Sequence, residues 1–185
     1  MEHKICGWVK LNDLQYLDYH NIECWKLLHN DNALFELFSL ETQSSGLSWL
    51  TVLKKRDGYR KAFKNFSLET VASYTQEDIN RIFESGLIIK SRPKIEAIIN
   101  NAKLFLEIKK EFASLDNYFW SKVNHKTIIN DVLDYKMACT KSEISDLLTK
   151  DLKKRGFKFV GSVTIYAFLQ ACGIVNDHEN NCWCK

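Results

Sequence analysis

Between Pro93 and Leu106 the side chains Ile95, Ile98, Ile99, Ala102, Phe105 and Leu106 form a broad apolar stripe of helical period. A chain holding such a segment must pack it against other layers, and Pro93, which lacks an N–H, suits the first turn of that helix. Punctuation is scarce around it. One proline and seven glycines in 185 residues, beside 12% aromatic residues, exclude collagen-like, linker-rich and turn-dense sandwich architectures. The expected class is all-α, with 45% hydrophobic residues enough to fill one core or two small lobes. The longest apolar runs, such as Leu87-Ile88-Ile89, fall far below the roughly 20 residues of a membrane span.

Other segments repeat the helical theme. Residues 31 to 44 place Leu34, Phe35, Leu37, Phe38 and Leu40 at helical spacing, with Asp31 as the candidate N-cap and Gly46 as the stop. The pattern restarts with Leu47, Leu50 and Leu53 on one side. Ser67 caps a short helix through Val71, and Thr75 with Asp78 resembles a capping box ahead of Ile79, Ile82 and Phe83, closed by Gly86. Leu115, Phe119, Trp120 and Val123 make another short amphipathic piece. Ser142 to Arg155 and Ser162 to Cys172 read as two helices around Gly156-Phe157-Lys158-Phe159-Val160-Gly161. Residues 126 to 141 carry no readable period.

The N-terminal Met1 to Trp8 has no apolar signal core, so a reducing cytoplasm is the expected location, and six cysteines then need a reason other than disulfides. Cys6 and His20 near one end and His178 and Cys182 near the other supply two thiols and two imidazoles, a zinc-type donor set, with His178 and Cys182 on one turn. On spacing alone, four ordinary thiols and histidines explain them equally well, and Cys184 competes as a ligand. Cys139 and Cys172 read as buried structural thiols.

A net charge of +3 permits a polyanionic partner without implying one. The basic run Lys153-Lys154-Arg155 precedes the glycine hairpin, whose backbone N–H groups and following helix start favour a phosphate oxygen; a routine C-cap with cations on the dipole reads the same residues. Lys54-Lys55-Arg56 is a second such run. Glu41 lies on an apolar helix in a region holding Trp8, Tyr16, Tyr19 and Trp49. Rings around a carboxylate can sandwich a flat base and attract positive charge, whereas a helix-end glutamate in water is the plainer alternative.

Together these stretches resemble the 3-methyladenine DNA glycosylase I family. The resemblance runs through Cys6-Gly7-Trp8, Tyr19-His20, Leu40-Glu41, Gly46 to Lys55, Lys153 to Gly161, Gln170 to Gly173 and Asn176-Asp177-His178, nearly the whole chain. It implies a helix-hairpin-helix glycosylase fold over residues 1–185, with a helical core at 26–173, and segments 1–25 and 174–185 joined by zinc. It implies structural Zn2+ on Cys6, His20, His178 and Cys182, a base pocket of Glu41, Tyr19 and Trp49 with Tyr16 and Trp8, and a plug at Gly46 and Leu47. Lys158, Val160 and Gly161 of the hairpin would grip the DNA backbone. Leu47 is equally placed to be core.

The implied activity is hydrolysis of the N-glycosidic bond that releases 3-methyladenine, with Glu41 as the catalytic carboxylate. The expected partner is double-stranded alkylated DNA, with no membrane and a monomeric enzyme. No general base is assigned, because the aspartate usual in the superfamily is lacking; Asp177 is read as a local hydrogen-bond partner. After Tyr19-His20 the chain reads Asn21-Ile22-Glu23-Cys24-Trp25, with the tryptophan one place later than the family pattern, so the pocket wall there is expected to differ. The alternatives are a non-catalytic, zinc-stabilised DNA-binding module of the same fold and a zinc-stapled interaction protein.

Overall fold

The computed structural model describes residues 4 to 185; Met1, Glu2 and His3, part of the stretch read for a signal core, lie outside them. Among the described residues the chain forms ten α-helices: α1 (Leu14–Asp18), α2 (Asp31–Gln43), α3 (Trp49–Leu53), α4 (Arg56–Ala62), α5 (Leu68–Ala72), α6 (Gln76–Glu84), α7 (Arg92–Phe112), α8 (Leu115–Trp120), α9 (Glu143–Arg155) and α10 (Ser162–Ala171). No described helix is long and apolar enough to cross a membrane.

Helix α2 is the axis of the fold, buried on every side from Leu34 to Gln43. Its Phe38 ring meets Phe105 of α7 at 4.8 Å, Phe168 of α10 at 5.4 Å and Phe157 of the hairpin at 5.9 Å, so four segments converge on one aromatic cluster. Edge-on contacts of this kind add to the area each ring buries. Helix α7 carries the stripe read from the sequence: Ile95, Ile98, Ile99, Ala102 and Phe105 are buried, with Pro93 in its first turn.

Local chemistry sets the helix starts. Asn30, rather than Asp31, caps α2 by accepting from the Ala33 N–H at 3.0 Å. Asp31 turns outward from its first turn and accepts from the Leu115 and Asp116 N–H groups, tying the start of α8 to that of α2. Thr75 and Asp78 form the capping box expected for α6, and Ser142 with Ser145 forms another for α9.

The unreadable stretch 126 to 141 contains β1 (Ile128–Ile129), which pairs in parallel with β2 (Val175–Asn176), followed by a 3-10 turn at Tyr135–Met137. A two-residue strand leaves no period in a sequence; its partner 47 residues away creates it. Helices α9 and α10 are joined by the hairpin 156–161, opened by Gly156 in the left-handed region at φ +95°. Gly173, at φ +84°, turns the chain from α10 toward β2, and a Cβ there would stand 2.8 Å from the Lys26 carbonyl oxygen. Gly173→Ala is therefore expected to lower stability by about 2 kcal/mol or more in urea denaturation, from backbone strain and the clash together; a loss below about 0.5 kcal/mol would contradict this packing.

Candidate active site

The all-round burial of α2 makes an unpartnered polar group costly; the Ser39 hydroxyl goes without a partner, and of the other buried polar side chains all but Glu41 find one. Glu36 accepts from Arg56 Nε at 2.6 Å and Arg60 Nε at 2.9 Å. Thr42 donates to the Ser39 carbonyl, and Gln43 bonds both Tyr59 and the Lys94 carbonyl. Glu41 differs. It is 5% exposed, its carboxyl has no hydrogen-bonding or charged partner among the described residues, and burial alone raises its pKa from 4.5 to about 8.

The carboxyl faces a recess of about 300 Å³, the lower end of the range for small-ligand pockets. Trp8, Tyr19, Trp25 and Trp49 line it along with Glu41. Tyr19 sits in a π-helical turn, Tyr19–Glu23, a distortion frequent at functional sites, and its ring centre lies 5.3 Å from that of Trp49. Trp8 stands edge-on to Trp25 at 5.8 Å. The indole N–H groups of Trp25 and Trp49, two of the lining residues, are buried without acceptors. A flat, polar-edged and electron-poor guest matches such walls.

Of the residues named from sequence, Glu41, Tyr19, Trp49 and Trp8 meet at this recess. Tyr16 packs edge-on against Trp8 at 5.2 Å beside this lining, where burial raises its hydroxyl pKa and Glu41 is near enough for its charge to add to the effect. Trp25, one place late in the sequence, still reaches the recess because its backbone takes a left-handed conformation at φ +59°. Cys24 is buried against Tyr19 and lines the same recess, outside the metal cluster described below.

The opposite wall escaped sequence reading. Val163, Ala167, Gln170 and Ala171 of α10 line it at steps of three and four, a helical face that the alternating apolar and polar residues of that segment contain. Tyr135, Ala138, Cys139 and Thr140 complete the mouth. Cys139 is exposed, which corrects its reading as a buried structural thiol; Cys172 is buried as expected. Asp177 also lines the recess, but its carboxylate already accepts from Tyr166, Gln170 and Asn130 at 2.8, 2.7 and 2.6 Å.

Two surface features flank the site. The turn between α2 and α3 carries Gly46 at φ +76° and Leu47, which is 44% exposed and so is no part of the core. The hairpin exposes Lys158 and Phe159, buries Val160, and starts α10 from Gly161.

Cys6, His20, His178 and Cys182 are all buried, with ligand atoms within 4.8 Å of one another, a cluster able to hold a metal ion. His178 Nδ1 lies 3.2 Å from Cys6 Sγ and 3.3 Å from Cys182 Sγ, and His20 Nε2 lies 3.5 Å from Cys182 Sγ. These separations approach the edge of about 3.5 Å expected for a tetrahedron of two sulfurs and two nitrogens on zinc. A 2.7 Å hydrogen bond from the His20 ring to Asn21 Oδ1 leaves Nε2 free to face the cluster. Burial pushes the Cys6 thiol up to about 12 and the His178 ring down to about 3. Neutral imidazoles are ready ligands, and the thiols need a cation before they ionise there. Cys184 stands further off, 4.0 Å from the opposite nitrogen of His20.

Known proteins resemble this chain along almost its whole length. The profile of the family described as methyladenine glycosylase matches residues 8–185. A DNA-3-methyladenine glycosylase of Haemophilus influenzae is 46% identical over 180 residues, 97% of either chain. A crystal structure of a 3-methyladenine DNA glycosylase I superposes with a TM-score of 0.93 at 41% identity, covering 98% of this chain and 99% of the other. A structure of the Staphylococcus aureus 3-methyladenine DNA glycosylase I, solved for its recognition of 3-methyladenine, gives 0.90 at 40% identity, covering 93% and 92%. With a buried carboxyl under aromatic walls, a Cys/His cluster and matches along almost its full length, the chain belongs to the methyladenine glycosylase family.

Proposed function

We propose that the chain is a DNA-3-methyladenine glycosylase that hydrolyses the N-glycosidic bond of the damaged nucleotide in double-stranded DNA as the first step of base excision repair. The observation that carries this reading is Glu41: a buried carboxyl, lacking any countercharge, under a ring-walled recess. Methylation at N3 makes the adenine of a nucleotide cationic. Seated beside Glu41, such a base supplies the missing charge, draws the carboxyl into its ionised form, and gains cation–π attraction from Trp8 and Trp49. Neutral adenine offers neither gain. The names of the relatives support this choice of base.

The chemistry asks little more of the protein. The cationic base departs as a neutral molecule, so its protonation is unnecessary, and Glu41 stabilises charge beside the breaking bond while water attacks the sugar. No lysine lines the recess among the described residues, which favours hydrolysis over a Schiff-base lyase step. Asp177, saturated by three donors, shapes the wall; we assign no general base.

A base enters the recess only after leaving the duplex, at a cost of a few kcal/mol in stacking. In this reading Leu47, exposed beside Gly46, fills the gap as a wedge, and the 156–161 hairpin acts as a helix-hairpin-helix motif, with Lys158 and the backbone of Val160 and Gly161 on phosphates. Residues 1–185 would work as one monomeric unit. The Cys/His cluster would hold structural Zn2+ on Cys6, His20, His178 and Cys182, where the ion supplies a cross-link between the two terminal segments. All four positions are protein donors, so none remains for an activated water. A cytoplasmic location accords with these free thiols.

Release of free base from methylated duplex DNA tests the reading. The wild type should release 3-methyladenine, and Glu41→Ala and Trp49→Ala should each release it at least about tenfold more slowly; no release by any of the three would favour a non-catalytic DNA-binding module instead. Glu41 also sets a stability profile. Its carboxyl ionises near 4.5 in the unfolded chain and only near 8 in the folded one, so ionisation favours unfolding across that interval. Stability relative to Glu41→Gln should fall by up to about 4 kcal/mol between these pH values and level off above them. Parallel melting curves of the two proteins from pH 4.5 to 8 would refute the burial of this group. Cys182→Ser should lower bound zinc, measured by elemental analysis, and reduce the melting temperature, whereas full occupancy and unchanged melting would remove Cys182 from the ligand set.

A further inference from the structure

Lys94 is a lysine only 9% exposed, and it serves the turn between α2 and α3. Its Nζ donates to the Gln43 carbonyl at 2.7 Å and to the Ser45 carbonyl at 2.8 Å. These belong to the last turn of α2 and the residues after it, where helix carbonyls lack partners and the dipole is negative. Gln43 Nε2 returns a bond to the Lys94 carbonyl. Leu47 stands two residues past the second of these contacts.

Seven residues along α7, on the same face, Asn101 is 1% exposed and clamps the hairpin. Its Oδ1 accepts from the Lys158 N–H at 2.9 Å and its Nδ2 donates to the Lys158 carbonyl at 3.1 Å, so the amide pairs with that peptide as a neighbouring strand would. Asn100 adds a bond to the Gly156 carbonyl. The clamp holds the hairpin while Phe159 occupies a left-handed backbone conformation at φ +55°. The Lys94 ammonium also lies 6.0 Å from the Phe159 ring centre, which links the two ends of this arrangement.

We infer that α7 is a strut that fixes the wedge turn and the hairpin at a set separation on the duplex, with Lys94 and Asn101 as its positioning residues. The two positions lie about 10 Å apart along the helix axis. Neither residue lines the base recess. The strut therefore governs how the duplex is held open while the base is excised, and leaves the recess itself unchanged. This inference rests on the glycosylase reading and adds two residues to it.

The test separates the two functions. Excision from methylated duplex DNA, affinity for free 3-methyladenine by tryptophan fluorescence, and thermal melting are measured for the wild type, Lys94→Met and Asn101→Leu. Each variant should lose about tenfold or more in kcat on duplex while its affinity for the free base stays within about twofold. Lys94→Arg, which keeps a cation able to reach both carbonyls, should recover most of the loss. The double variant should lose less than the product of the single losses, since both break one strut. Excision within about twofold of wild type, or free-base affinity falling in step with excision, would overturn the strut. If Lys94→Met fails to fold, Asn101→Leu and Lys94→Arg carry the same comparison. Absence of base release by the wild type would instead overturn the glycosylase reading beneath it.

Discussion

A helix enclosed on every side cannot leave an ionisable group idle without cost, and α2 meets that constraint everywhere but at one position. Arginines neutralise Glu36, and a tyrosine and a lysine's backbone occupy Gln43. Glu41 alone among its acidic side chains faces empty space. The surrounding core, centred on Phe38 one turn earlier, is dense enough to hold that carboxyl where water does not stabilise its charge. The protein thus retains, in a helix enclosed on every side, a carboxyl that burial holds neutral up to about pH 8.

The recess and the Cys/His cluster share a wall. The Trp25 ring lies on the His178 imidazole with centres 3.7 Å apart, and Trp8 stands edge-on to His20 at 5.3 Å. One carboxylate, Glu179, accepts from the Gly7 N–H at 3.0 Å and from the Tyr135 N–H at 2.9 Å, so the segment between the cluster residues His178 and Cys182 holds both the N-terminal loop and Tyr135 of the recess. A metal bound there would act on the base site through packing, without contact with the reacting atoms.

Much of this was legible because helix periodicity and caps are local. The stripe of α7, the capping box of α6 and the break at Gly46 follow from spacing within a few residues. The candidate pocket residues were legible through resemblance, since nothing local says that Glu41 faces a recess instead of water. The missed features are those created by distant partners. The β1–β2 pair exists because residues 128 and 175 meet, and Tyr135 enters the site because Glu179 holds its backbone. Trp25 reaches its place by a positive φ that no pattern of side chains reveals. Asn30 and Asp31 have equally suitable capping side chains, and only the packing of α8 against α2, which engages Asp31, decides between them.

The chain order of the Cys/His cluster carries a consequence for biosynthesis. Cys6 and His178 are separated by 172 positions, so a ribosome must translate almost all of the described chain before the four donors can assemble. The aromatic cluster around Phe38 is also completed late, since Phe157 and Phe168 belong to the C-terminal part of the chain, and Trp25 gains its contact with His178 later still. Until His178 is in place, the Trp25 side of the recess lacks the imidazole that backs it.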